Sequence, residues 1–316
     1  MKLLVWQTAY LGDVVLATPL IRTLHENFPT AKIGFVGRSF IRELLKGYPI
    51  ELIPFDKSLK ESFTLLERIK EYSVVVNPNI SMRSALILFF SGIPTRIGFD
   101  RSELRWLYSH QVKHRWGIHE VDRNLELLKP LGIKKLIREP RLYLEEEEEE
   151  RARQKFKLPK EFVVLSPFSN FVLKEWSLKR WKELIKLLDV PVVLVGTAKD
   201  SERSQELEVG AKVLNLVGKT SIRELMAVIK LSKLVISCDS SPVHIANALG
   251  KPAVSVYTST SPVYGFYPLL GAYLTPSLRC SPCSPNPKVC KEGHYMCLEA
   301  VSAEEVAEKA KDFLSL

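Results

Sequence analysis

Short apolar runs alternate along the whole chain with longer segments that carry an apolar stripe. In the first half, "KLLVWQT", "KIGFVG" and "SVVVNPN" are followed by the segment 12–27, "FIRELLKGY" and "RSALILFF". After residue 160, "FVVLSPF", "VPVVLVG", "LVISCD" and "AVSVY" are separated by "SLKRWKELIKLL", "TSIRELMAVIKL" and "SPVHIANALG". Strand followed by helix, repeated, is the pattern of βα units around a parallel sheet. It predicts an α/β chain of two doubly wound domains. The length of 316 residues agrees, being about twice the usual domain.

The boundary is expected near "LEEEEEERARQKFKLPKE" (144–161), giving domains 1–155 and 156–316. The glutamate run either opens a helix, where carboxylates suit the positive end of the dipole, or forms a solvated face. The closing "SAEEVAEKAKDFL" (302–314) has a serine cap, then acids, then an amphipathic stripe, and predicts a terminal docking helix.

Composition adds little to this picture until charge is counted. With 46% hydrophobic and 26% charged residues the chain is an ordinary globular one, but its net charge is +9. That excess favours an acidic partner: nucleic acid, an anionic membrane face or a phosphorylated small molecule. Nucleic acid is set aside, because the basicity is spread along the chain with no RNP, zinc-finger or helix-turn-helix signature. The opening "MKLLVWQTAYLGD" reads as a buried strand rather than a secretory signal, and "SALILFFSGI" is about half of what a bilayer crossing needs. The chain is therefore expected in the cytoplasm.

In open α/β sheets ligands bind beyond the carboxyl ends of strands, where helix N-termini point. Three loops qualify. In "TAYLGDVVLATPL", Asp13 suits either a general base or a helix N-cap. No GxGxxG follows this strand, which counts against a dinucleotide-dependent oxidoreductase. In "SPFSNFVLKEWSLKRW", Ser169 and Asn170 can donate to phosphate oxygens and Lys174 can balance their charge, with Ser177 as helix cap. In the third loop, where "LVISCD" runs into "SSPVHIANALG", Asp239 or Ser240 alone would cap the helix, yet Ser241 and His244 stand beside them. Hydroxyls, imidazole and helix N–H groups converging on one point predict a phosphate-bearing ligand.

Cys280, Cys283, Cys290 and Cys297 lie at C-x2-C-x6-C-x6-C spacing with His294 close by. A structural zinc or iron–sulfur site, disulfides and free thiols are all open readings, and none makes the cluster catalytic. The chain has only four glutamines, which fits a heat-adapted source, where intracellular disulfides do occur. Cys238 reads as a small apolar strand residue.

"GDVVLATPLIRTL", "RIGF", "HEVDRNLELL", "KEWSLKRWKEL", "NLVGKTSIRELMAVI", then Asp239 with the "SSPVHIANALGKPAVSVYTSTSP" that follows it, and "CSPCSPNPKVCKEGHYMCLEAV" occur in that order. In this the chain resembles the ADP-heptose:lipopolysaccharide heptosyltransferases, and most of all those that add the second heptose of the core. The resemblance implies a GT-B fold, two Rossmann-like domains facing a cleft. It implies transfer of L-glycero-D-manno-heptose from ADP-heptose to the lipid A-linked inner core of lipopolysaccharide, with inversion and without a catalytic metal or cofactor. It further implies peripheral work at the inner face of the cytoplasmic membrane. By the same resemblance Asp13 is the base, and Lys174 with Ser169 and Asn170 holds the diphosphate. Asp239, Ser240, Ser241 and His244 form the second half of that grip, with Asp200 and Thr220 near the nucleoside. Phe168 and Ser241 stand where the family usually has glycine, which would narrow the approach of backbone to phosphate.

Overall fold

The computed structural model describes residues 1–56, 58–210 and 212–314. The chain divides into two compact units, Met1–Tyr143 and Leu144–Leu316. The first runs β1 (Lys2–Trp6), α1 (Leu11–Asn27), β2 (Lys32–Gly37), α2 (Ile41–Leu44), β3 (Glu51–Pro54), α3 (Leu59–Ile69), β4 (Val74–Asn77), α4 (Met82–Phe90), β5 (Thr95–Phe99), β6 (His110–Val112) and α5 (Glu120–Glu126). The second runs α6 (Glu146–Phe156), β7 (Val163–Ser166), α7 (Leu178–Leu187), β8 (Val192–Leu194), α8 (Ser201–Gln205), β9 (Val213–Asn215), α9 (Ile222–Leu231), β10 (Leu234–Cys238), α10 (Ser241–Ala248), β11 (Ala253–Val256), β12 (Gly271–Leu274) and α11 (Ala303–Leu314).

Each unit holds one six-stranded parallel sheet, ordered β3-β2-β1-β4-β5-β6 and β12-β11-β10-β7-β8-β9. Counted from each unit's own first strand, both have the doubly wound order 3-2-1-4-5-6. The two expected Rossmann-like sheets are present. Central strands are mostly apolar and buried throughout because helices cover both faces: Leu3 to Trp6, and Leu234 to Cys238 with its one polar residue Ser237, are fully buried.

Strand order decides where a ligand can enter. The direction of winding reverses between β1 and β4 in the first sheet and between β7 and β10 in the second, opening a crevice beyond each pair. All three loops chosen from sequence follow one of these strands: Asp13 follows β1, Lys174 follows β7 and Asp239 follows β10.

Two expectations need correction. The division falls after Tyr143, not after residue 155, because α6 packs on α9 of the second unit. Glu145 and Glu148 close a capping box at its start, and Glu148 turns inward to an ion pair with Arg223 of α9. The run is thus a helix start whose fourth carboxylate is largely covered, rather than a wholly wet face. The second correction is α2, four residues instead of the nine of "FIRELLKGY", ended by the left-handed backbone of Gly47 (φ 97°) ahead of Pro49. The terminal helix α11 forms, with Ser302 and Glu305 exchanging capping bonds and Val306 and Ala310 buried on its inner side.

Candidate functional site

In the second unit, β7 ends at Ser166 and the chain loops through Pro167–Phe171 into a 3-10 turn, Val172–Lys174. The turn delivers the Lys174 ammonium to Asp239, 2.9 Å away, with the two side chains only 14% and 9% exposed. Thr260 donates its hydroxyl to the same Asp239 oxygen at 2.9 Å, and the ammonium lies 5.5 Å from the centre of the Phe171 ring. Two residues chosen separately from sequence are therefore one pair. An ionised carboxylate only accepts hydrogen bonds, so Asp239 cannot itself donate to a phosphate; what it does here is orient a cation.

The helix start behind this pair differs from the simple capped end. Ser240 occupies the N-cap position of α10 but makes no capping bond; its hydroxyl is 2.9 Å from that of Ser237. Ser241 and Pro242 form the first turn, half-buried and buried respectively. His244 is buried one turn further in, its ring 6.2 Å from that of Phe266.

Ser169 and Asn170 are held by side chains that sequence alone did not single out. The Ser169 amide donates to Glu175 at 3.0 Å, its hydroxyl oxygen accepts from the Phe171 amide at 3.3 Å, and Glu175 accepts from Arg203 at 2.5 Å. Asn170 Oδ1 accepts from Lys199 at 2.9 Å. Phe168 does not crowd the loop: its ring is buried in the core against Gly196, with the Arg203 guanidinium 4.9 Å from its centre. Asp200 is buried at the end of a 3-10 turn and accepts from Thr197 at 2.6 Å. Thr220 precedes Ser221, the N-cap of α9. Between them Gly218, at φ 74°, lets the second loop lie on the first; a Cβ there would stand 2.8 Å from the Ala198 Cα.

In the first unit, Asp13 lies inside the first turn of α1, past Tyr10 at the N-cap position, where no side chain makes a capping bond. The reading of Asp13 as that cap is therefore corrected. Its surroundings were missed. Glu120 opens α5 and is 6% exposed; burial pushes its carboxyl up to about 8, against the pull of Arg123 and with Asp13 adding to the rise. Arg123 pairs with Glu120 and also donates to the carbonyls of Arg115 at 2.8 Å and Ile118 at 3.3 Å. Arg123 and Arg101 both lie over the Trp116 ring, at 4.9 and 4.6 Å. Burial, then the charges of Arg123 and Arg101, holds His114 down to about 4. The acid–base pair three residues apart in "HEVDRNLELL" was the available signal. The α5 helix is tied to α1 by Asn124, which donates to the Leu16 carbonyl at 3.3 Å.

The cysteines are all free thiols in this structure. Cys280 Sγ is 3.7 Å from His294 Nε2, and Cys283 Sγ is 3.2 Å from the Cys280 carbonyl. Among the described residues no three His, Cys, Asp or Glu side chains are grouped so as to hold a metal ion. Cys238 closes β10 and is fully buried beneath the Ser166 and Phe168 carbonyls, its thiol pushed up to about 12 by burial.

Comparison with known proteins adds a family to this geometry. Residues 64–309 match the model of glycosyltransferase family 9 (heptosyltransferase). Lipopolysaccharide heptosyltransferase 2 of Escherichia coli (strain K12) is 31% identical over 296 residues, covering 83% of this chain and 84% of that protein. The structure of E. coli ADP-heptose lps heptosyltransferase II superposes with a TM-score of 0.83 at 27% identity, over 100% of this chain and 99% of that one. E. coli heptosyltransferase WaaC with ADP-2-deoxy-2-fluoro heptose shares the fold, with a TM-score of 0.74 at 22% identity and 99% coverage of both chains. With two like-wound sheets of the GT-B kind and a family match over most of its length, the chain belongs to glycosyltransferase family 9, the heptosyltransferases.

Proposed function

We propose that this enzyme transfers L-glycero-D-manno-heptose from ADP-heptose to a hydroxyl of the lipopolysaccharide inner core, adding the second heptose. Asp13 takes the proton of the acceptor hydroxyl as its oxygen bonds to the anomeric carbon; the bond from that carbon to the diphosphate oxygen breaks on the opposite face, and ADP leaves with its electron pair. Charge develops on the leaving diphosphate, so donors fixed in advance stabilise the transition state more than the ground state. Lys174 supplies the principal cation. Asp239, itself bonded by the Thr260 hydroxyl, holds it in place, while the N-terminus of α10 with Ser240 and Ser241, the Ser169–Asn170 loop and His244 complete the grip. Asp200 and Thr220 flank the nucleoside.

The observation that carries this reading is the Lys174–Asp239–Thr260 cluster at the β7/β10 crevice, a nearly buried cation held by a carboxylate that Thr260 orients, at the switch point of the second sheet. We place the work at the inner face of the cytoplasmic membrane; the net charge of +9 supports attraction to a phosphorylated, lipid-linked acceptor. Among the described residues no helix is long and apolar enough to cross a membrane. The test is incubation with ADP-heptose and defined truncated acceptors, followed by mass analysis. A single added heptose with inverted linkage is expected. Consumption of the sugar nucleotide without any acceptor would instead show an epimerase or hydrolase.

A further inference from the structure

Helix α4 is apolar on both sides but buried on only one. Ala85, Ile87 and Leu88 face the core, and the Ser84 hydroxyl accepts the Trp6 indole N–H at 2.9 Å, which fixes the rotation of the helix against β1. Met82, Leu86, Phe89 and Phe90, spaced by three and four residues, share the other side and are exposed, Phe90 to 69%. Helix α3 and the 3-10 turn Arg105–Leu107 pack beside α4, and each adds one exposed aromatic, Phe63 at 73% and Trp106 at 68%. A helix with this composition is ordinarily covered all round. Arg83 on α4 and Arg105 on the turn, both exposed, stand among these residues, the Arg96 guanidinium lies 5.7 Å from the centre of the Phe89 ring, and the Glu103 carboxylate accepts from the Met82 amide at 3.1 Å.

We infer that this face is the surface by which the enzyme sits on an anionic lipid bilayer. The inference rests on the reading of the acceptor as lipid-linked and locates where the membrane is touched. Aromatic and aliphatic side chains with arginines among them are the composition of interfacial binding: the apolar groups enter the acyl boundary while guanidiniums meet lipid phosphates. A second copy of the chain is the poorer occupant, because a two-fold contact would bring Arg83, Arg96 and Arg105 toward their own copies.

The test uses the full chain and vesicles containing phosphatidylglycerol or phosphatidylcholine alone, read by co-sedimentation. Binding to the anionic vesicles, weakened by salt, is expected. Phe90→Ser and Trp106→Ser should each lower it about tenfold, and Arg105→Ala about fivefold. Brominated lipid should quench the fluorescence of the natural chain more than that of Trp106→Phe. Transfer to a deacylated acceptor, measured on the same variants, should be unchanged. Transfer without vesicle binding, or vesicle binding indifferent to both aromatic substitutions, overturns the surface and leaves the heptosyl reading standing. Aromatic-dependent binding without transfer does the reverse. A stable dimer in light scattering that Phe90→Ser dissolves would assign the face to a second copy and overturn the inference.

Discussion

Replacing Asp239 by Asn separates two roles for its carboxylate that predict opposite signs. At 2.9 Å from Lys174, with an effective dielectric constant of about 20, the attraction is about 6 kcal/mol before the cost of desolvating both groups. Because both side chains are mostly buried, breaking the pair leaves an uncompensated cation, and a net coupling of about 2–4 kcal/mol is expected from the cycle of Asp239→Asn, Lys174→Met and the double variant in urea unfolding. ADP affinity, measured by calorimetry, carries the functional half. Losing charge-assisted bonds to phosphate in Lys174→Met should weaken binding by roughly 10- to 150-fold. In Asp239→Asn the ammonium keeps its charge but loses its anchor, and binding should weaken by about tenfold or less. If the carboxylate were merely a like charge tolerated beside the phosphates, the same substitution would tighten ADP. Tighter binding, or a coupling below about 0.5 kcal/mol, refutes the account of Asp239 as the holder of Lys174.

Asp13→Ala should abolish transfer while ADP-heptose affinity survives; turnover in that variant would remove Asp13 from the role of base. The carboxyl of Glu120, raised from its ordinary range to about 8, binds a proton more tightly folded than unfolded. Its contribution is complete at acid pH and is lost as pH climbs from about 4.5 through 8. Urea midpoints between pH 5 and 9 should fall for the natural chain and stay flatter for Glu120→Gln, and parallel slopes would contradict the assignment. Glu148→Ala should cost about 3 kcal/mol by removing the carboxylate from a mostly buried ion pair between α6 and α9, as seen in thermal unfolding; a loss under 1 kcal/mol would show the pair to be no more than a surface contact.

The strands legible in the sequence are those whose environment is apolar on both faces. β1, β2, β4, β7, β8, β10 and β11 stood out as short apolar runs, and the loops after β1, β7 and β10 could be ranked from topology alone. "ELIP", "TRIGF", "HQV", "VLN" and "GAYL" became strands because a neighbour offers its backbone, not because their own pattern demands it. The site divides the same way. Asp13, Lys174 and Asp239 were visible as polar residues at strand ends, but that Lys174 and Asp239 form a pair depends on β7 lying beside β10. Glu120 and Arg123 were in plain view, and what could not be read was their burial beside α1. Nor could the glutamate run disclose that Glu148 meets Arg223, 75 residues later.

That contact decides how the protein can be cut. A fragment begun at residue 156 would discard α6, strip Arg223 of its carboxylate and bare the flank of α9 to water. One begun at Leu144 carries its own cover, so the severed second unit should be sought from that residue onward.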